Sequence, residues 1–89
     1  MENKISIFTD YRCSGCQDLK KTIKDLRLNE IKILEISEHK DEAKRLNVFA
    51  VPTAIINDEK YDIFREGECL VFKSKQNTIK ACKKHRHLR

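Results

Sequence analysis

Apolar and polar residues alternate in short blocks along this chain, and the spacing changes character from block to block. Residues 4–8, with Ile5, Ile7 and Phe8 apolar, read as a first strand, followed by a short loop over residues 9–12. Cys16, Leu19, Ile23 and Leu26 then recur at spacings of three, four and three, the apolar stripe of an amphipathic helix with Lys20, Lys21, Lys24 and Asp25 outside. That helix is expected to end near Asn29. Ile31, Ile33, Leu34 and Ile36 form a β-branched run suited to a strand covered on both faces. Ser37 offers a cap for a short second helix, with Glu38, Asp41 and Glu42 in its first turns and an end near Asn47. Ala43 and Leu46 face inward there.

Ala54-Ile55-Ile56, introduced by Val51-Pro52-Thr53, is a third strand. The polar stretch Asn57-Asp58-Glu59-Lys60 turns it into a fourth over residues 61–64, and Gly67 closes this β-hairpin. The apolar patch Cys69-Leu70-Val71-Phe72 fits either a strand extension or a loop plugging the core. Ser74 or Asn77 can cap a last helix in which Ile79, Ala81 and Cys82 face the sheet. The resulting order is β-α-β-α-β-β-α, an α/β chain with a four-stranded mixed sheet and three helices.

A chain of 89 residues holds one core, so residues 1–89 are expected to form a single domain. Hydrophobic residues make up 39% and charged residues 37%, with two glycines and one proline, which excludes collagenous, low-complexity and disordered classes. No apolar run approaches the roughly 18–20 residues that span a bilayer, and the start leads into a strand instead of a signal-peptide core. A cytoplasmic protein without a membrane partner is expected. Chains this long reach a stability of order 4–13 kcal/mol without staples, so Cys13, Cys16, Cys69 and Cys82 need another reason.

The formal charge of +5 changes meaning when it is divided along the chain. Residues 1–72 carry 12 Lys/Arg against 14 Asp/Glu, whereas residues 73–89 carry seven Lys/Arg and no acid. The basicity belongs to the C-terminal helix and tail. Its cations complement the negative end of that helix; docking to an acidic partner is the alternative. A nucleic-acid partner is not expected, because no aromatic residues interleave with these charges to stack on bases.

Cys13-Ser14-Gly15-Cys16 lies where the first strand gives way to the first helix. At such a junction the free N–H groups and positive dipole end of the helix stabilise a thiolate on the first cysteine, and the second sits one turn in, within disulfide reach. The pair is read as a redox-active Cys13–Cys16 dithiol needing no further cofactor. Ser14 and Gly15 are small enough to let a partner approach. Zinc would require a second closely spaced pair, but Cys69 and Cys82 lie 13 residues apart and far downstream, so no metal is expected. His39, His85 and His87 read as surface residues, and Cys69 and Cys82 as core-filling thiols, with a second redox pair or a regulatory disulfide as the alternative should their Cα atoms come within about 7 Å.

With Cys13-Ser14-Gly15-Cys16 and Val51-Pro52-Thr53 at these places in the element order, the chain resembles the thioredoxin-like superfamily, specifically small glutaredoxin-like and archaeal-type thioredoxins. The resemblance extends over essentially the whole chain, with residues 68–77 poorly matched. It implies a thiol–disulfide oxidoreductase that reduces protein disulfides, with Cys13 as nucleophile and Cys16 as resolving thiol. It further implies a cis Pro52 beside the active-site disulfide and a Val51 backbone that pairs with an extended substrate. Arg12, Ser14, Gly15 and Thr53 complete the implied substrate-binding set. Expected partners are disulfide-containing proteins and a reductant, either a thioredoxin reductase-like protein or glutathione, acting on a monomer. Positions that hold a glutathione-binding glycine pair in glutaredoxins fall on Asp62 and Ile63, and thioredoxin's buried acid falls approximately on Ile7. Rival readings are a non-catalytic adaptor docking through its basic tail, and a metal or iron–sulfur carrier using Cys13 and Cys16.

Overall fold

The structure is a computed structural model describing residues 4–83. Its elements are β1 (Ile5–Thr9), α1 (Ser14–Asp25), β2 (Lys32–Glu35), a 3₁₀ turn (Ile36–Glu38), α2 (Lys40–Arg45), β3 (Thr53–Ile56), β4 (Glu59–Glu66), β5 (Cys69–Lys73) and β6 (Thr78–Cys82). The strands form one sheet in the order β2-β1-β3-β4-β5-β6. β1 and β2 run parallel, and every other neighbouring pair is antiparallel.

Alternation along the central strands creates a core on each face of the sheet. Ile5 and Ile7 of β1, Ala54 and Ile56 of β3 and Leu70 and Phe72 of β5 pack with Leu19 and Ile23 of α1. Phe8 and Ile55 point the other way and meet Leu34, Ala43 and Val48. Each fully buried Leu, Ile or Phe contributes about 1.5–3 kcal/mol relative to exposure, so the α1 face is the larger stabilising layer. Both helices end in the same way. Arg27 takes a left-handed φ of 58° while the Leu28 N–H donates to the Ile23 carbonyl, and Asn47 takes 56° while the Val48 N–H donates to the Ala43 carbonyl. The apolar residue after each cap then drops back into the core.

Tight hairpins build the rest. Asn57 and Asp58, at φ 53° and 62°, supply the two left-handed residues of a primed turn between β3 and β4. Gly67 at φ 60° opens the two-residue turn from β4 into β5, where a side chain would be strained.

The C-terminal third overturns the expectation of a four-stranded sheet with three helices. The apolar patch after Gly67 is strand β5, and the expected last helix is strand β6, giving six strands. The side chain of Ser74 accounts for the difference. Its hydroxyl oxygen accepts the N–H groups of Gln76 and Asn77 at 3.3 and 3.1 Å, which is cap chemistry, but here it builds the turn of a hairpin. Ile79 and Ala81 then alternate with exposed Thr78, Lys80 and Cys82, a period of two within five residues. Ser37 is likewise not a helix cap: it lies in the 3₁₀ turn, bonds Glu35 at 3.4 Å, and α2 starts after His39.

Cys69 and Cys82 are not core thiols. They face each other across β5 and β6 and form a disulfide with Cα atoms 3.9 Å apart. The four C-terminal cations among the described residues do not lie on a helix either. Lys73 lies in β5, Lys75 in the turn and Lys80 in β6, Lys83 directly follows β6, and Lys84, Arg86 and Arg89 fall outside the described residues, as do His85 and His87. Among the described residues no helix is long and apolar enough to cross a membrane.

Closing a loop of this size restricts the unfolded chain by about 3 kcal/mol. Under non-reducing conditions, Cys69→Ala/Cys82→Ala should lower the denaturant-measured unfolding free energy by about 2–4 kcal/mol, and added dithiothreitol should close the gap between variant and parent. An unchanged midpoint without reductant would show that the staple adds no stability.

Candidate functional site

The loop between β1 and α1 is shaped by its own backbone. The Cys13 N–H donates to the Asp10 carbonyl at 3.0 Å, and the Arg12 N–H donates to the Asp10 carboxylate at 2.9 Å. Cys13 thereby arrives at the cap of α1 with extended dihedrals (φ −92°, ψ 113°), and its sulfur accepts the Cys16 N–H at 3.1 Å. No acidic side chain stands in the first turn of α1, so the helix carries no carboxylate of its own at its positive end. A Cβ on Gly15 would lie 4.0 Å from Cys13 Sγ, and glycine leaves that side of the sulfur open.

The two thiols are free and occupy different surroundings. Cys13 is half-buried; Cys16 is completely buried, at the N-terminal end of the apolar stripe of α1. Burial pushes the Cys16 thiol up from 9.0 to about 11, and its hydrogen bond with Cys13 adds to the shift. Cys16 is therefore a protonated thiol at neutral pH, next to a sulfur that caps a helix. Asp10 is held below its usual carboxylate range, first by the Arg12 backbone N–H and then by the Arg12 charge. Arg12 is paired with that carboxylate at 3.6 Å.

The facing wall comes from the loop before β3. The Val51–Pro52 peptide is cis, and Pro52 lines a groove of about 200 Å³ together with Gly15, Leu19, Ile63, Phe64 and Arg65. Gly15 and Pro52, far apart in sequence, thus share one groove beside Cys13. Thr53 does not join it: its hydroxyl donates to the Ala50 carbonyl at 2.6 Å and it lines a separate groove. Ser14 is exposed on the first turn and Val51 is half-buried against the α2-side core.

Several neighbours of the site carry no sequence motif. Tyr11 stands exposed beside the dithiol, its hydroxyl donating to Glu38 at 3.0 Å; that carboxylate raises the phenol's pKa above its ordinary value. Glu35, only 6% exposed, accepts the Tyr11 N–H at 3.1 Å through Oε1, while its Oε2 and the Thr9 hydroxyl are buried without a hydrogen-bond partner among the described residues. Thr9 and Glu35 are register partners on β1 and β2. An acid ending an apolar strand run is the one sequence signal for Glu35. Phe64 and Arg65 enter the groove because β4 extends past β3, which no local pattern announces.

No protein-family model, curated protein or solved structure matches the chain.

Because Cys16 ionises near 11 in the fold and near 9.0 as an ordinary thiol, its protonated form supports the fold below about pH 9, and this contribution is lost as pH rises toward 11. Pulse alkylation of native, reduced protein should modify Cys13 and spare Cys16 until the pH approaches 11; equal labelling of both at neutral pH would contradict the burial. Glu35→Ala removes the acceptor of the Tyr11 N–H and should cost about 1–3 kcal/mol, measured by urea denaturation, whereas Glu35→Gln should lose less than half of that.

Proposed function

We propose that the protein is a thiol–disulfide oxidoreductase that reduces disulfides in protein substrates through Cys13 and Cys16. The observation that carries this reading is the Cys13 sulfur at the cap of α1, held by the Cys16 N–H, with a buried and protonated Cys16 thiol one turn behind it. The groove lined by Gly15, Pro52 and Phe64 supports it, since an extended segment lying there meets Gly15, whose Cβ position is 4.0 Å from Cys13 Sγ.

In the proposed reaction the Cys13 thiolate attacks one sulfur of the substrate disulfide. The substrate S–S bond breaks, its second sulfur leaves as a thiolate, and a Cys13–substrate mixed disulfide forms. Cys16 then gives up its proton and attacks Cys13 Sγ, which expels the remaining substrate thiolate and closes a Cys13–Cys16 disulfide. Two electrons have passed to the substrate. A small-molecule or protein dithiol reverses the oxidation by the same exchange. The high Cys16 pKa makes its deprotonation the step that needs help. The Glu35 carboxyl anchors the loop preceding Cys13 and stands as a buried polar group on the same face of the sheet.

Turnover of insulin disulfides with dithiothreitol should fall to the uncatalysed background in Cys13→Ser, while Cys16→Ser should accumulate a mixed disulfide visible by intact mass. Cys69→Ala/Cys82→Ala should keep the turnover. Parent-like activity in Cys13→Ser would refute the mechanism.

A further inference from the structure

Resting on the exchange reaction proposed above, we infer that the preferred substrates carry acidic residues next to the disulfide, and that a lysine-rich groove beyond the Val51–Pro52 loop receives them. The groove holds about 550 Å³ and includes Phe49, Lys60, Asp62, Phe64, Lys73 and Lys75. Three ammonium groups there face one carboxylate, so an anionic segment is favoured over a neutral or cationic one.

Its aromatic floor is unusual for a surface. Phe49 is 86% exposed and Phe64 51% exposed, each with a lysine ammonium near its ring: Lys60 at 6.0 Å from the Phe49 centroid and Lys73 at 5.6 Å from that of Phe64. Large rings left in water, with cations placed over them, supply apolar area to a bound chain and charge to its side chains. Among the described residues none of these lysines forms an ion pair; the Lys60 ammonium donates to the Asn47 carbonyl at 2.8 Å.

Position connects the groove to the dithiol. Phe64 lines both this groove and the one beside Cys13, and Ala50 and Thr53, on either side of Val51–Pro52, line the basic one. A segment whose cysteine reaches Cys13 past Gly15 and Pro52 therefore continues over Phe64 toward Lys73 and Lys60. Single-stranded nucleic acid would also suit rings and lysines, but the continuity with the dithiol favours an acidic segment of the disulfide-bearing protein itself.

The test uses two peptides with the same internal disulfide, flanked by four glutamates or by four glutamines, reduced by the full-length protein with dithiothreitol as electron source, beside a small uncharged disulfide. At low ionic strength the glutamate peptide should show a KM lower by about tenfold, as a few exposed charge pairs provide, and half-molar salt should erase the difference. Lys60→Gln/Lys73→Gln should also erase it while leaving reduction of the small disulfide unchanged. Equal KM values for the two peptides, or a preference that survives in the double variant, overturn the inference with the exchange reaction intact. Tight binding of an unstructured oligonucleotide that these two substitutions abolish, without any peptide preference, would reassign the groove to nucleic acid. If the parent reduces neither peptide nor the small disulfide, the exchange reaction itself fails and takes the inference with it.

Discussion

The packing of one stripe of α1 against the central strands holds the molecule in register. Cys16, Leu19 and Ile23 are buried along that stripe, and Leu19 and Ile23 meet a layer built by Ile5, Ile7, Ala54, Ile56, Leu70 and Phe72 from β1, β3 and β5. The same burial has an electrostatic result. It strips water from the Cys16 thiol and raises it to about 11, while the start of the helix leaves Cys13 at the cap with an N–H on its sulfur. Core stability and the difference between the two thiols thus come from one docking event: a helix that slid by a turn would expose Cys16 and remove that difference.

Surface charge adds little to that core and matters elsewhere. Arg45 with Glu42, Lys80 with Glu66 and Lys83 with Glu68 are exposed pairs, each worth at most about 1 kcal/mol. A single buried Leu or Ile exceeds most of them. Charge is instead distributed around the mouth of the dithiol: Asp10 and Arg12 neutralise each other, Arg65 reaches the helix face through Thr22, and lysines collect beyond the Val51–Pro52 loop.

The N-terminal half was largely legible in the residues, for a physical reason. Helix α1 is long enough for its 3.6-residue period to be unambiguous, and the turn at Asn57-Asp58 needs residue types that tolerate left-handed dihedrals. Residues 74–82 were not legible. Ser74 accepts N–H groups two and three residues on in a hairpin turn as readily as at a helix start, and five residues with Ile79, Ala81 and Cys82 satisfy either period. What tips the balance is the unpaired edge of β5, which β6 completes in register from Cys69 opposite Cys82 to Lys73 opposite Thr78.

By itself the sequence determined the dithiol and its place at a helix start, since spacing and local backbone chemistry act over a few residues. It also determined that the molecule would build α/β layers around short strands. Tertiary structure alone decided which cysteines pair, because Cys69 and Cys82 meet only through the β5–β6 register. It also decided that Glu35 lies buried beside the loop preceding Cys13, and that Phe49, Phe64, Lys60 and Lys73 share one groove. Those neighbours come from different strands, and the pairing energies that bring strands together depend on partners distant in the chain, which no local pattern can carry.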